Sequence, residues 1–201
     1  MTDPPKPVQA ALYPAIAEAA HRVGAQVVGL IDVGSSTGSN LDVDRVGITY
    51  SNGQTLGDPS SPLQLSASIR GHRPVPAQAI PEVVARISVD RDPVDTLPDA
   101  LARVPAYVLP VVTTTWALSR LPLERRLRFL HRLNQAATNR AVAWVSVEGV
   151  GVAPAIPTFG DRHASGHSII GLAVFGQSVL QAEAVGRCWS RGRFLAWLAD
   201  S

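Results

Sequence analysis

The 201-residue chain has little of several residue types, and each scarcity excludes a class of protein. Cys188 is the only cysteine, which excludes an intrachain disulfide and a cysteine-based zinc site. Lysine occurs once, the net charge is only +2, and no basic run predicts nucleic-acid binding. No apolar stretch reaches the length of a membrane span, and no signal peptide is apparent. These features predict a cytoplasmic protein whose partners are neither nucleic acids nor membranes.

Apolar residues make up 46% of the chain, which is ample for a core, and the length predicts a single domain over residues 1–201. The patterning predicts helices at 10–23, 81–86, 98–104 and 123–134, and strands at 27–33, 63–69, 87–90, 107–115 and 141–148. An Asn-Gly turn predicts a hairpin within an inserted segment at 47–76, and a second hairpin is predicted at 168–185. Strands that alternate with helices are typical of an α/β fold.

The run VVGLIDVGSSTGSN at residues 27–40 carries the strongest functional signal. It predicts a buried strand that ends near Asp32 and enters a loop of glycines and small residues, as at the first crossover of a nucleotide-binding sheet. Such a loop lets the backbone approach a ligand closely, and its free N–H groups can bind the ligand. In a dinucleotide-binding fingerprint the acid comes about 20 residues after the glycines. Here it precedes Gly34 by two residues, which favours a different cofactor.

The order of strand, Asp32, Gly34, Ser36 and Gly38 resembles the first motif of class I S-adenosylmethionine-dependent methyltransferases, with Ser36 in place of the middle glycine. Further runs look like a family of uncharacterised actinobacterial proteins with methyltransferase-like motifs; they lie at 32–41, 57–62, 90–95, 115–118 and 144–149. The chain is similar, less closely, to mycobacterial sugar O-methyltransferases of methylmannose polysaccharide synthesis. The resemblance begins at about Val27 and runs to the C-terminus, with a shortened segment at 95–107.

The resemblance implies a Rossmann-like class I methyltransferase sheet with helices on both faces, a C-terminal antiparallel hairpin and an inserted β-hairpin after the first motif. It implies S-adenosylmethionine as cofactor and a sugar or small hydroxylated metabolite as methyl acceptor. The implied cofactor side consists of Asp32, Gly34, Ser36, Gly38, Asp90, Asp92 and Thr114. The shortened segment is where such methyltransferases place a third strand and the acid that contacts adenine, so the resemblance assigns no residue to that role.

Residues that bind the methyl acceptor are expected to include a base. A positioned base that removes the proton of the attacking hydroxyl typically accelerates the reaction ~10²–10⁴-fold. Glu148, His163 and His167 are the candidates for that role. Trp116 is a candidate for stacking on a sugar, and Tyr50 and Asp58 for a lid over the acceptor or a homodimer contact.

Two other functions stay open. Residues 34–38 also satisfy the G-x-S-x-G nucleophile elbow of serine hydrolases, with Ser36 as nucleophile, His163 or His167 as base, and Asp161 or Asp90 as acid. However, no upstream segment resembles an oxyanion loop. The shortened segment favours the other alternative, a methyltransferase-like scaffold that binds a ligand or partner without turnover. No metal is predicted, because Asp161, His163 and His167 only weakly match the residue types and spacing typical of metal ligands.

Overall fold

Ten strands and three α-helices form the regular structure of the computed structural model, which describes residues 7–35, 38–176 and 179–199. The helices are α1 (Gln9–Arg22), α2 (Pro93–Ala102) and α3 (Leu123–Ala136). The strands are β1 (Val27–Val33), β2 (Gly47–Tyr50), β3 (Thr55–Gly57), β4 (Gln64–Ile69), β5 (Glu82–Val89), β6 (Leu109–Thr115), β7 (Val142–Gly149), β8 (Ser168–Gly176), β9 (Val179–Trp189) and β10 (Phe194–Trp197). Short 3₁₀ helices at Ser39–Arg45, Leu118–Arg120, His163–Ser165 and Ser190–Gly192 join some of them.

The strands of the described chain form one mixed sheet in the order β3-β2-β4-β10-β9-β8-β7-β6-β1-β5. The neighbours β5, β1, β6 and β7 are parallel to one another. Their order along the sheet is that of the second, first, fourth and fifth strands of a doubly wound nucleotide-binding sheet. The predicted α/β class is confirmed.

The C-terminal hairpin forms as predicted from β8 and β9, but it does not close the sheet. Strand β10 pairs with β9 on one side and with β4 on the other, and β4 continues into β2 and β3. The segment at 47–76, with its predicted hairpin at β2–β3, therefore extends the same sheet and forms what is called its far half below. The reason is that an edge strand exposes a row of unpaired N–H and C=O groups, which another strand can satisfy.

The helix predicted at 81–86 is wrong, because residues 82–86 belong to strand β5. Pro81 suits the first turn of a helix, which favoured the incorrect prediction. Val83, Val84 and Ile87 are β-branched, and such residues pack better in strands. Pairing with β1 along its whole length then fixes the extended form.

The core consists of two apolar clusters on opposite faces of the sheet. Helix α1 covers one face, and every residue from Gln9 to Ala20 is buried. Helices α2 and α3 cover the other face, and Leu97 and Phe129 are fully buried there. In the described part of the chain, no helix combines the length and apolarity needed to cross a membrane.

Candidate functional site

The carboxyl ends of β5, β1, β6 and β7 form the edge where ligands bind in α/β sheets. After β1 the chain turns at Gly34, which has φ +84°. The Gly34 N–H donates to the Val89 carbonyl at 3.2 Å, so the glycine loop lies beside the end of β5. A Cβ added at Gly34 would lie 2.5 Å from the Cβ of Ala117, which follows β6. Three chain segments therefore meet at Gly34.

Asp32 is fully buried at this edge and holds the glycine loop to the sheet. Its Oδ1 accepts hydrogen bonds from Asn40 Nδ2 at 3.1 Å and from Thr113 Oγ1 at 3.0 Å. Asn40 Nδ2 also donates to Thr115 Oγ1 at 3.2 Å. Since Asn40 lies in the 3₁₀ helix that follows the loop, these bonds fix the far end of the loop. Sequence analysis missed Asn40, for which the only signal was its position shortly after the motif.

The glycine loop itself departs from a nucleotide-binding crossover in one respect. Gly38 has φ +62°, a left-handed conformation that glycine adopts without strain. It leads into the 3₁₀ helix at Ser39–Arg45, and within the described residues no α-helix lies between β1 and β2. Ser36 lies outside the described residues, so its predicted roles stay predictions.

Asp90 directly follows β5 and is exposed to solvent beside the glycine loop. Its carboxylate accepts a hydrogen bond from the Ser88 hydroxyl. It lines a cleft of about 300 Å³ between β5 and α2, and Asp99 on α2 lines the same cleft. The structure thus leaves Asp90 accessible to a ligand.

Asp92, which the resemblance also placed on the cofactor side, has structural contacts instead. Its Oδ1 accepts a hydrogen bond from the Val94 N–H at 3.0 Å, which caps the first turn of α2. Its carboxylate also pairs with Arg125 of α3. These contacts join the two helices that cover the same face of the sheet.

Thr114 and Glu148 lie on the opposite face of the sheet from Asp32, because successive residues of a strand alternate between faces. Both belong to the side covered by α2 and α3, where Thr114 Oγ1 accepts a hydrogen bond from Trp144 Nε1 at 3.1 Å. The predicted cofactor and acceptor residues are therefore divided between two faces.

Glu148 is only 1% exposed and binds backbone N–H groups rather than facing solvent. Its Oε1 accepts from Ala117 N at 3.0 Å and from Leu118 N at 3.1 Å. Among the described residues its Oε2 has no partner within hydrogen-bond distance. Burial raises the pKa of Glu148 from 4.5 to about 7, although the two N–H groups favour the charged form.

Trp116 is the first residue after β6 and stands partly exposed at the same edge. Its φ of +54° is unusual for a bulky residue and indicates a constrained backbone. The backbone N–H donates to the Val147 carbonyl at 3.0 Å, and the indole Nε1–H donates to Ser168 Oγ at 2.8 Å. The ring is thus held in one orientation.

His167 and Asp161 come together in the segment between β7 and β8, as the sequence suggested. Asp161 Oδ2 lies 2.8 Å from His167 Nε2, and both carboxylate oxygens accept from Arg187 of β9 at 2.6 and 2.9 Å. His167 Nδ1 faces the Ser165 carbonyl at 3.3 Å. Both ring nitrogens therefore face oxygen acceptors, and the cluster ties the β7–β8 segment to β9.

Arg187, which sequence analysis missed, has the largest effect on this cluster. Its hydrogen bonds lower the pKa of Asp161, and its guanidinium lies 4.7 Å from the Phe159 ring centre. No local sequence pattern connects an arginine on β9 with an acid 26 residues earlier. His163 is exposed on its own 3₁₀ turn, and no three potential metal ligands group together in the described ranges.

Tyr50 and Asp58 lie in the far half of the sheet. Tyr50 is 1% exposed, and its hydroxyl donates to the Ala10 carbonyl of α1 at 2.8 Å, so it is a core residue rather than part of a lid. Asp58 is exposed and accepts hydrogen bonds from the Ser60 hydroxyl and N–H, which lower its pKa and close a local turn.

We expect Tyr50→Phe to lower the free energy of unfolding by about 1 kcal/mol, because the buried Ala10 carbonyl loses its hydrogen bond. Urea unfolding of both proteins measures the change. Tyr107→Phe is the matched control, since Tyr107 is 78% exposed, and it should leave stability unchanged. Equal losses in the two variants would contradict a structural role for the Tyr50 hydroxyl.

The chain matches a bacterial protein family over residues 8–96 and 92–197, which is nearly all of its length. The family is described as "Uncharacterized protein conserved in bacteria (DUF2332)". The two matched stretches meet at 92–96, where α2 begins and next to the segment at 95–107 that the resemblance identified as short. No curated protein and no solved structure matches the chain.

Proposed function

We propose that this chain, which belongs to the DUF2332 family, is an S-adenosylmethionine-dependent methyltransferase with its cofactor site at the carboxyl edge of β5, β1 and β6. One observation carries the proposal. The left-handed Gly34 is hydrogen-bonded to Val89, and this contact brings the exposed Asp90 carboxylate beside the glycine loop. In nucleotide-binding sheets an acid at a neighbouring strand end accepts hydrogen bonds from the ribose hydroxyls.

The residues at this edge fit such a cofactor in position and in chemistry. Asp90 supplies an accessible acceptor for the ribose, and the lack of a side chain at Gly34 lets the glycine loop pack directly against Ala117 at the end of β6. Asp32 supports the loop from within through Asn40. The bound cofactor supplies an electrophilic methyl group on a sulfonium.

The acceptor side must place a hydroxyl about 3 Å from that methyl group and in line with the bond that breaks. Trp116 is partly exposed at the same edge, and its ring, held by Ser168 at the start of β8, offers a surface against which a sugar or similar metabolite can stack. His163 is exposed and suited to receive the hydroxyl proton near neutral pH. His167 has both ring nitrogens engaged and Glu148 is buried, so neither fits this role as well.

A second candidate function, a binding scaffold without turnover, is favoured by the glycine loop. A 3₁₀ helix rather than an α-helix follows it, so the loop does not lead into the N-terminus of an α-helix. The serine hydrolase alternative is less well supported. Of its two candidate bases, His167 has both ring nitrogens directed at other oxygens, so His163 would have to accept the proton of Ser36, and no upstream segment resembles an oxyanion loop.

Isothermal calorimetry with S-adenosylhomocysteine tests the proposal. We expect micromolar binding, weakened roughly tenfold in Asp90→Asn because an uncharged amide oxygen is a weaker hydrogen-bond acceptor than a carboxylate. Glu124→Gln is the control, since the Glu124 side chain is 74% exposed on α3 and does not line this cleft, and it should bind normally. Absence of binding at millimolar ligand would reject the cofactor, and binding without turnover of any hydroxylated acceptor would favour the scaffold.

A further inference from the structure

The buried carboxylate of Glu148 is connected to the glycine loop by a continuous series of contacts. Glu148 Oε1 accepts from the N–H groups of Ala117 at 3.0 Å and Leu118 at 3.1 Å. Ala117 packs against Gly34 so closely that an added Cβ on the glycine would lie 2.5 Å from the Ala117 Cβ. Gly34 in turn bonds to Val89 at the end of β5. A shift of Ala117 therefore reaches the loop.

The same two hydrogen bonds constrain the residue that precedes them. Trp116 has φ +54°, and a bulky residue keeps such a conformation only where its surroundings fix it. Its N–H is held by the Val147 carbonyl and its indole by Ser168. Glu148 binds the N–H groups of the next two residues, so the backbone is restrained by hydrogen bonds both at Trp116 and directly after it.

We infer that Glu148 is a positioning residue, whose carboxylate fixes the turn at 116–118 and thereby sets the orientation of Trp116 and the packing of Ala117 against Gly34. At 1% exposure it does not touch the reacting atoms. The part of the inference that concerns ligand affinity rests on the proposed function, whereas the part that concerns Trp116 does not.

Ionisation of Glu148 changes the strength of both hydrogen bonds, because a carboxylate is a stronger acceptor than a neutral carboxyl group. The groups that face it are the backbone N–H groups of residues 117–119 and the Thr114 hydroxyl, which do not titrate near neutrality. The orientation of Trp116 is therefore expected to depend on pH through Glu148.

Two ionisable groups lie near the other end of the Trp116 indole, beyond Ser168. Burial raises the pKa of Cys188 to about 12, which removes it from the neutral range. His167 directly precedes Ser168 in the chain. Because His167 could also affect the indole signal, it needs its own control.

Nuclear magnetic resonance of ¹⁵N-tryptophan-labelled protein tests the inference through the indole N–H signals, of which the chain has four. Trp116→Phe identifies the Trp116 signal. We expect Glu148→Ala to shift and broaden this signal and Glu148→Gln to preserve it, since a glutamine amide oxygen can still accept both N–H groups. In the native sequence and in His167→Gln the signal should titrate near pH 7, and in Glu148→Gln it should not.

An unchanged Trp116 signal in Glu148→Ala would overturn the inference. If that variant does not fold, a titration that persists in Glu148→Gln when His167→Gln is also present overturns it equally. Calorimetry adds a ligand readout, in which Glu148→Ala should bind S-adenosylhomocysteine roughly tenfold more weakly and Glu148→Gln normally. Failure of the native protein to bind would reject the proposed function alone, because the Trp116 signal still reports on Glu148. Loss of turnover in Glu148→Gln with a normal signal would place Glu148 in the chemistry and reject a positioning role.

Discussion

Replacing Glu148 by glutamine should stabilise the protein by about 3 kcal/mol above neutral pH and change its stability little in mild acid. Burial raises the pKa of this carboxyl group from its ordinary 4.5 to about 7. Between these values the folded state binds the proton more tightly than the unfolded state, so stability falls as pH rises through this window. Glutamine cannot ionise, and its uncharged amide resembles the protonated acid in shape.

Urea unfolding at intervals from about pH 5 to pH 8 measures this effect as the difference between two stability profiles. Glu124→Gln is a suitable control, because the Glu124 side chain is 74% exposed on α3 and should not change the slope. Parallel profiles for the native sequence and Glu148→Gln would show that burial does not raise the pKa of Glu148.

Gly57→Ala is expected to destabilise the far half of the sheet by about 3–5 kcal/mol, which combines left-handed strain with a steric clash. Gly57 has φ +76°, and an added Cβ would lie 2.0 Å from the Val46 carbonyl oxygen. That oxygen belongs to backbone and also accepts the Asp58 N–H, so it cannot move away without loss of the bond. The hairpin end must therefore rearrange.

Gly53→Ala separates the two contributions, because Gly53 lies at the turn of the same hairpin with φ +86° and has nothing within 4 Å of an added Cβ. We expect this variant to lose only about 1–2 kcal/mol, the cost of left-handed strain. Thermal and urea unfolding of both variants provide the comparison. If Gly57→Ala costs no more than Gly53→Ala, the close approach of Val46 has no energetic consequence.

Several secondary-structure elements could be predicted from short-range sequence patterns. The apolar run before the glycines predicted β1 at its observed bounds, because a short buried strand between turn signals needs no long-range information. The Asn-Gly turn predicted the β2–β3 hairpin for a similar reason. Helix α3 was recognisable because its apolar residues repeat at helical spacing, and Phe129 and Leu133 are indeed the buried ones.

Only part of the candidate site could be predicted from the sequence. The motif located Asp32 and Gly34 at a strand end, and the short strand predicted at 87–90 placed Asp90 at the end of the next one. Whether such an acid is accessible depends on partners far away in the chain. Asp32 is covered by Asn40 and Thr113, whereas Asp90 remains exposed.

By itself the sequence determined the α/β class, the strand-and-glycine motif and most elements, since each depends on side-chain periodicity or turn chemistry within a few residues. Tertiary structure alone decided that β10 joins the two halves of the sheet, because strand edges pair without a sequence code. It also decided that Glu148 lies under the turn after β6, opposite the face of Asp32, since the partners of a buried polar group come from whichever segments packing brings beside it.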